Sequence, residues 1–361
     1  MSETSKIEWT NATWNPITGC SLVSPGCTNC YAMRLAHRLS HVGGKTGAKY
    51  GGLTDVVNGK VVWNGVVWLT NEATLTAPLR WRKPKRIFVN SMSDLFHPDV
   101  PDEWIESIFG VMENAPQHQF QVLTKRAERM QQQIERLGQL WAQRGPREGW
   151  PLPNVWVGPS VEDQKRANER IPYVLKTLAA VRLLSCEPLL GPIDLTRLDL
   201  GIKRTHGYGD RRVYWDALTG WEHQCAPGKR LTAGEHGRTA ISGPHRRVQW
   251  VIVGGESGPG ARPCELAWVR SIRDQCREAN VPVFIKQLGA RSREICTSPK
   301  QVPVNLETIG VWVDGISETR QAKVLSRDGH RYTVEWPLRD PKGGDMAEWP
   351  SDLRIREYSD G

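Results

Sequence analysis

From Arg86 onward, short apolar runs alternate with longer stretches in which apolar residues recur at helical spacing. Ile87-Phe88-Val89-Asn90 precedes a helix predicted from about Asp102 to Asn114, and Phe120-Gln121-Val122-Leu123 precedes one from about Ala127 to Trp141. Val155-Trp156-Val157 leads to a helix near Asp163 to Leu178, and Val181-Arg182-Leu183-Leu184 is a further strand. Trp250-Val251-Ile252-Val253, with a helix near Glu265 to Ala279, and Val283-Phe284-Ile285 complete the series. Upstream, Thr13-Trp14-Asn15-Pro16-Ile17-Thr18 reads as an extended run and Tyr31 to Leu39 as a helix. Seven strands that alternate with helices predict an α/β fold, a complete or partial (β/α) barrel of parallel strands.

Three segments break this rhythm. In residues 43–70, Asn58-Gly59 and Asn64-Gly65 separate short β runs, which predicts a small β insertion with two tight turns. Residues 201–248, rich in Arg, His and Gly, have no helical period and read as a second insertion, a basic loop over the barrel mouth. Residues 298–361 contain alternating segments such as Val311-Trp312-Val313 and Tyr332-Thr333-Val334-Glu335-Trp336, joined through Asp328-Gly329. The expected organisation is a barrel over 1–297 carrying both insertions, then a small β-rich C-terminal appendage over 298–361.

Composition narrows the partners. A net charge of +9 and sixteen tryptophans favour an anionic partner with flat faces to stack, which makes nucleic acid the leading expectation. No run of eighteen apolar residues appears, so no membrane partner is expected. Met1-Ser2-Glu3-Thr4-Ser5-Lys6 lacks the build of a signal peptide, and a cytoplasmic protein with reduced thiols is expected.

The chemistry gathers behind the strands. Cys20, Cys27 and Cys30 follow the first in a C-x6-C-x2-C arrangement, and Pro25-Gly26 can turn the backbone so that the sulfurs converge. Three thiolates leave one coordination position open for chemistry if they hold an iron–sulfur cluster. Alternatively they hold zinc, with His37 or Cys186 closing a structural site. Ser91, Ser93 and Asp94 follow the second strand, Lys125-Arg126 the third, Glu162-Asp163 the fourth, and Cys186-Glu187 the fifth. Gly254-Gly255-Glu256 follow the sixth and Lys286 the seventh. In a parallel barrel these ends open on one face, the usual place for an active site. The plainer reading of Asp94, Glu162, Asp163 and Glu265 is as helix-start residues.

Several runs together resemble the phage protein Gp37/Gp68 family, a domain family of unknown function similar to divergent radical S-adenosylmethionine enzymes. They are Trp14-Asn15-Pro16 through Tyr31, Phe88 through His97, Leu123-Thr124-Lys125-Arg126, Glu187 through Ile193, and Val251 through Gly258. The resemblance implies a [4Fe-4S] cluster on Cys20, Cys27 and Cys30, with S-adenosyl-L-methionine on its free iron. It also implies an electron-donor protein, in some members a separate three-Cys-motif partner protein, and a phage or bacterial host cytoplasm. The first cysteine gap here is six where that superfamily usually has three, and Gly254-Gly255-Glu256 comes late in the barrel. The methionyl end of the cofactor is therefore assigned to Ser91, Ser93 and Asp94, and its carboxylate to Lys125 or Arg126. Gly254, Gly255 and Glu256 are further contacts, and Cys186, Glu187 and Lys286 are the catalytic candidates.

Taken together, these readings favour a radical enzyme that modifies or repairs a nucleic-acid base or nucleotide by hydrogen abstraction. A non-catalytic zinc protein that binds nucleic acid, and a radical enzyme acting on a peptide or small metabolite, are the alternatives.

Overall fold

A computed structural model of the chain describes residues 4–144, 149–206, 209–225, 246–297, 308–313, 316–321, 323–328, 331–336 and 338–359. Seven strands pair side by side in chain order: β1 (Ala12–Trp14), β2 (Arg86–Val89), β3 (Gln119–Thr124), β4 (Val155–Pro159), β5 (Val181–Cys186), β6 (Trp250–Gly254) and β7 (Val283–Gln287). Every pairing is parallel, and the sheet curls into a partial barrel with β1 and β7 at its two edges. Crossover helices α1 (Tyr31–Ser40), α2 (Asp102–Glu113), α3 (Ala127–Gln143), α4 (Gln164–Lys176) and α5 (Leu266–Glu278) follow β1, β2, β3, β4 and β6.

The strands are apolar on both faces because both are covered. Val155, Val157, Val251, Val253, Val283 and Ile285 pack into the large outer core with the helices. Their neighbours Trp156, Ile252 and Phe284 turn inward and join Leu183, Trp250 and Trp9 in a second, aromatic core inside the curl. Rings there meet edge to face, Trp156 and Trp250 at 5.8 Å and Trp250 and Phe284 at 6.3 Å. The interior is thus filled near the amino ends of the strands, and open space remains near their carboxyl ends.

The chain termini cover the unclosed side. Trp9 lies 4.8 Å from the Phe88 ring and 6.3 Å from that of Trp250. The C-terminal tail runs antiparallel along β7, where Ile285 N–H donates to Ile355 O and Glu357 N–H to Val283 O, both at 3.0 Å. Tyr358 Oη then reaches the Glu8 carbonyl at 3.0 Å, joining the two ends of the chain.

The expected interruptions are only partly as read. Asn58-Gly59 makes a hairpin between Thr54–Val57 and Lys60–Trp63, both turn residues at positive φ as that tight turn requires. The turn expected at Asn64-Gly65 makes no second hairpin: Trp68–Leu69 pairs instead with Ile17–Thr18, and Gly44–Tyr50 is a short helix. The region read as a basic loop over 201–248 begins as a three-stranded antiparallel sheet of Leu198–His206, Gly209–Trp215 and Glu222–Cys225, while 226–245 lies outside the described residues. In the expected appendage, Lys323–Asp328 and Arg331–Trp336 pair, although the turn at 329–330 lies outside the described residues. That sheet also takes in Ser292–Thr297, and the tail from 338 returns to the barrel, burying Trp349 and Leu353 completely. A boundary at 297 therefore cuts through a sheet.

Candidate active site

The cysteine loop is shaped first by its own backbone. Gly19 has φ of 93°, and a Cβ there would lie 2.0 Å from the Val66 carbonyl oxygen, so only glycine allows the hairpin segment to back the loop. Pro25–Cys27 forms one 3-10 turn, and Cys30 stands immediately before α1. These turns set the three sulfurs in a compact stretch.

Strand-end side chains then pin the loop at three points. From the β2 and β3 ends, Asp94 Oδ2 accepts from Arg126 at 2.8 Å, and the same guanidinium donates to Ser21 Oγ at 2.8 Å and approaches Cys20 Sγ at 3.8 Å. After β4, the fully buried Glu162 accepts from Gly26 N–H at 3.2 Å and from Arg170 at 2.9 Å. Past β6, Glu256 accepts from Asn29 Nδ2 at 2.9 Å while Arg262 grips both its oxygens. Burial opposes charge on Glu162 and Glu256, yet their hydrogen bonds and arginine partners prevail and hold both carboxyls below the ordinary value.

The loop borders a cavity of about 360 Å³ at the carboxyl ends of the strands. Cys20, Cys27 and Cys30 line it, as do Ser91, Ser93, Asp94, Lys125, Arg126, Glu187, Gly255, Glu256 and Lys286, so groups drawn from the ends of several other strands face one space. Of the residues expected as catalytic groups or cofactor contacts, two lie off this wall. Cys186 is wholly buried on the helix side of the sheet, and Gly254 sits behind the Glu187 side chain, where a Cβ would come within 3.2 Å of its carboxyl carbon.

Several of the expected cofactor contacts are engaged with the protein. Ser91 Oγ donates to Asn15 Oδ1 at 3.1 Å and Ser93 Oγ to the Ile17 carbonyl at 2.9 Å, tying β2 to β1. Asp94 receives four hydrogen bonds, from Thr124 Oγ1, Phe96 N–H, Lys125 N–H and Arg126. Gly255 is required by packing, since a Cβ would lie 2.3 Å from the Leu288 carbonyl oxygen. Lys286 Nζ donates to Glu187 Oε1 at 2.6 Å, and Gln287 Nε2 bridges Glu187 to the Gly255 carbonyl. Lys125 Nζ, by contrast, makes no hydrogen bond or salt bridge to a described residue.

Asn90 is a site residue that sequence reasoning passed over. It lines the cavity at 3% exposure, its φ is 57°, and its Nδ2 is buried with no partner among the described residues. Asparagine at a strand end tolerates this backbone, which was the available signal. Lys6 and Lys342, brought to the rim by the two termini, had no local signal at all.

Among the described residues, no three His, Cys, Asp or Glu side chains are gathered as a metal-ligating group. His37 is held by Thr54 Oγ1 and meets the His41 ring edge to face, and neither His37 nor Cys186 lines the cavity, so neither expected fourth zinc ligand stands with the cysteines. A polynuclear cluster attaches its thiolates to different irons, so its cysteines need not converge on one atom, but they must open on one shared space. Cys20, Cys27 and Cys30 meet that condition. Burial, then the Asp94 carboxylate, push the Cys20 thiol up to about 12, so binding a metal there must displace a proton.

Among the described residues, no helix is long and apolar enough to cross a membrane. No solved structure matches the chain. The large ribosomal subunit protein uL16 of Mycoplasmopsis synoviae (strain 53) is similar, at 26% identity over 126 residues, covering 32% of this chain and 81% of that protein. The model of a family described as "Protein of unknown function (DUF5131)" matches residues 4–329, nearly the whole chain, and the chain belongs to that family.

Proposed function

We propose that this protein is a radical S-adenosylmethionine enzyme that acts on a nucleic-acid base or nucleotide. The observation that carries the reading is that three cysteines, on a loop pinned from three directions, open on the same cavity as Lys125 and a Glu187–Lys286 pair. A [4Fe-4S] cluster on Cys20, Cys27 and Cys30 with S-adenosyl-L-methionine would supply one-electron cleavage of a carbon–sulfur bond and the hydrogen abstraction that follows.

The chain's own residues bind and shield. Asp94 and Arg126 hold the Cys20 end of the loop, a positioning role that replaces direct contact with the cofactor. Lys125, which forms no salt bridge to a described residue, offers the cofactor's carboxylate a charged donor. Asn90 Nδ2 and the Glu187–Lys286 pair present donors and an acceptor to a substrate edge, and Trp9, Phe88 and Leu123 give that space an apolar wall that excludes water. The motif runs also support kinship with the phage protein Gp37/Gp68 family, with an electron-donor protein and a three-Cys-motif protein as its partners.

Anaerobically reconstituted protein, reduced in the presence of the cofactor, should release deoxyadenosine, and Lys125→Gln should weaken cofactor binding about tenfold, as removing one charge-assisted hydrogen bond does. Oligonucleotides should accelerate that release, whereas acceleration by peptides or metabolites alone would move the substrate class. Cluster-loaded protein that never cleaves the cofactor would overturn the proposal.

A further inference from the structure

A second concavity adjoins the cavity. It lies between α3, α4 and the strand Leu198–His206, encloses about 730 Å³, and shares Val23, Lys125 and Arg126 with the cavity wall. We infer that this crevice is a track for single-stranded nucleic acid, along which the backbone runs while one base turns into the cavity. The inference rests on the proposed function and narrows its substrate from a free nucleotide to a strand.

Charge and shape carry the argument. Of the ionisable Lys, Arg, Asp and Glu side chains lining the crevice six are basic and two acidic. Four of the basic ones are arginines fixed by carboxylates, as Arg129 is by Asp102 and Arg170 by Glu162. Neither Lys125 nor Lys176 forms a salt bridge to a described residue: Lys176 is left to meet phosphates throughout, and Lys125 does so while the cofactor is absent. Flat apolar surface alternates with them: Tyr173 and Trp215 are half-buried in the lining, the Lys176 ammonium stands 5.7 Å from the Trp215 ring centre, and Ile202 and Val23 are nearly half exposed. Cations tracking a backbone beside faces on which bases stack are the features of a single-strand groove. The crevice, about 730 Å³ between two helices in contact and one strand, holds a few nucleotides of one strand, whereas a duplex would have to lie outside it. Val23, Lys125 and Arg126 line both spaces, so a base leaving the track would pass Lys125 to reach the cavity, and no energy would go into unstacking a paired base.

The test is fluorescence anisotropy of the full chain, before cluster loading, with a labelled oligothymidylate, the corresponding duplex, and polyglutamate as competitor across a salt series. The single strand should bind at least tenfold tighter than the duplex. Lys125→Gln with Lys176→Gln should weaken it and lower the salt slope by about 1.4, roughly 0.7 for each phosphate left without its lysine. Tyr173→Ala should weaken binding about tenfold without changing the slope, as removing a stacking face does. Equal affinity for the duplex, equal competition by polyglutamate, or an unchanged slope in the double lysine variant overturns the track. Because no cofactor is present, a failure of the radical chemistry leaves this outcome unaffected, and a failed track leaves deoxyadenosine release to be judged separately.

Discussion

Asp94 shows how a residue lining the cavity can direct its hydrogen bonds to the protein itself. Its carboxylate collects Thr124, Lys125 N–H and Arg126, and through Arg126 it reaches Ser21 and Cys20. Both partners of the Asp94–Arg126 pair are nearly buried, so Asp94→Asn leaves an uncompensated guanidinium. The expected loss is about 3–5 kcal/mol of unfolding free energy in urea titration, a value typical of removing one partner of a buried pair. Gly19→Ala should also cost well over about 1 kcal/mol, because both its φ of 93° and the Val66 carbonyl oppose a side chain. Glu162 sets an acid limit. Its folded pKa lies below its unfolded one, so its contribution is complete above the ordinary value of 4.5 and is lost as pH falls through the lowered folded value. Stability measured from about pH 5 downward should therefore fall less steeply in Glu162→Gln than in the parent chain, although the parent is more stable near neutral pH. At this scale the sequence announced which residue types stand at the strand ends, but not that Ser91, Ser93 and Asp94 would turn to the protein's own backbone and side chains. Hydrogen-bond direction depends on neighbours distant in sequence, 76 positions away both for Ser91 with Asn15 and for Ser93 with Ile17, and no local pattern encodes it.

The elements were legible where one period dominates. Strands buried on both faces and amphipathic helices such as Ala127–Gln143 stand out because burial imposes runs of apolar residues or a stripe that recurs about every 3.6 residues. The pairing of the tail was not legible, since Ile355-Arg356-Glu357-Tyr358 alternates too briefly to read as a strand and makes sense only against the free edge of β7. It contributes energy as well as hydrogen bonds. Tyr358 packs 5.2 Å from the Phe284 ring centre and receives the Arg86 guanidinium at 4.0 Å. Tyr358→Ala should lower unfolding free energy by about 1–3 kcal/mol, from ring contacts with Phe284 and Trp250 and one partly exposed cation–π contact. Deleting residues 354–361 should do more, because it uncovers the β7 edge and the Trp250 indole N–H that donates to Glu357 O. A thermal melt unchanged by that deletion would mean that the tail does not close the barrel.

For the whole molecule, the decisive feature is that a parallel sheet collects distant parts of the chain at one rim. Residues from the cysteine loop, from every later strand end and from both termini share one cavity, while the aromatic core fills the other end of the curl. Net charge of +9 and the crevice lined by Lys125 and Lys176 are what the proposed nucleic-acid partner would meet at the same rim. The proposed chemistry depends on whether the three thiols hold a cluster. The most direct test is metal and sulfide analysis of protein reconstituted anaerobically, alongside a Cys20→Ala/Cys27→Ala/Cys30→Ala variant. The account predicts a brown protein with about four irons and four sulfides per chain, as a [4Fe-4S] cluster requires, and a colourless variant of unchanged secondary structure. A colourless parent with one zinc per chain, or iron retained when all three cysteines are gone, would contradict it.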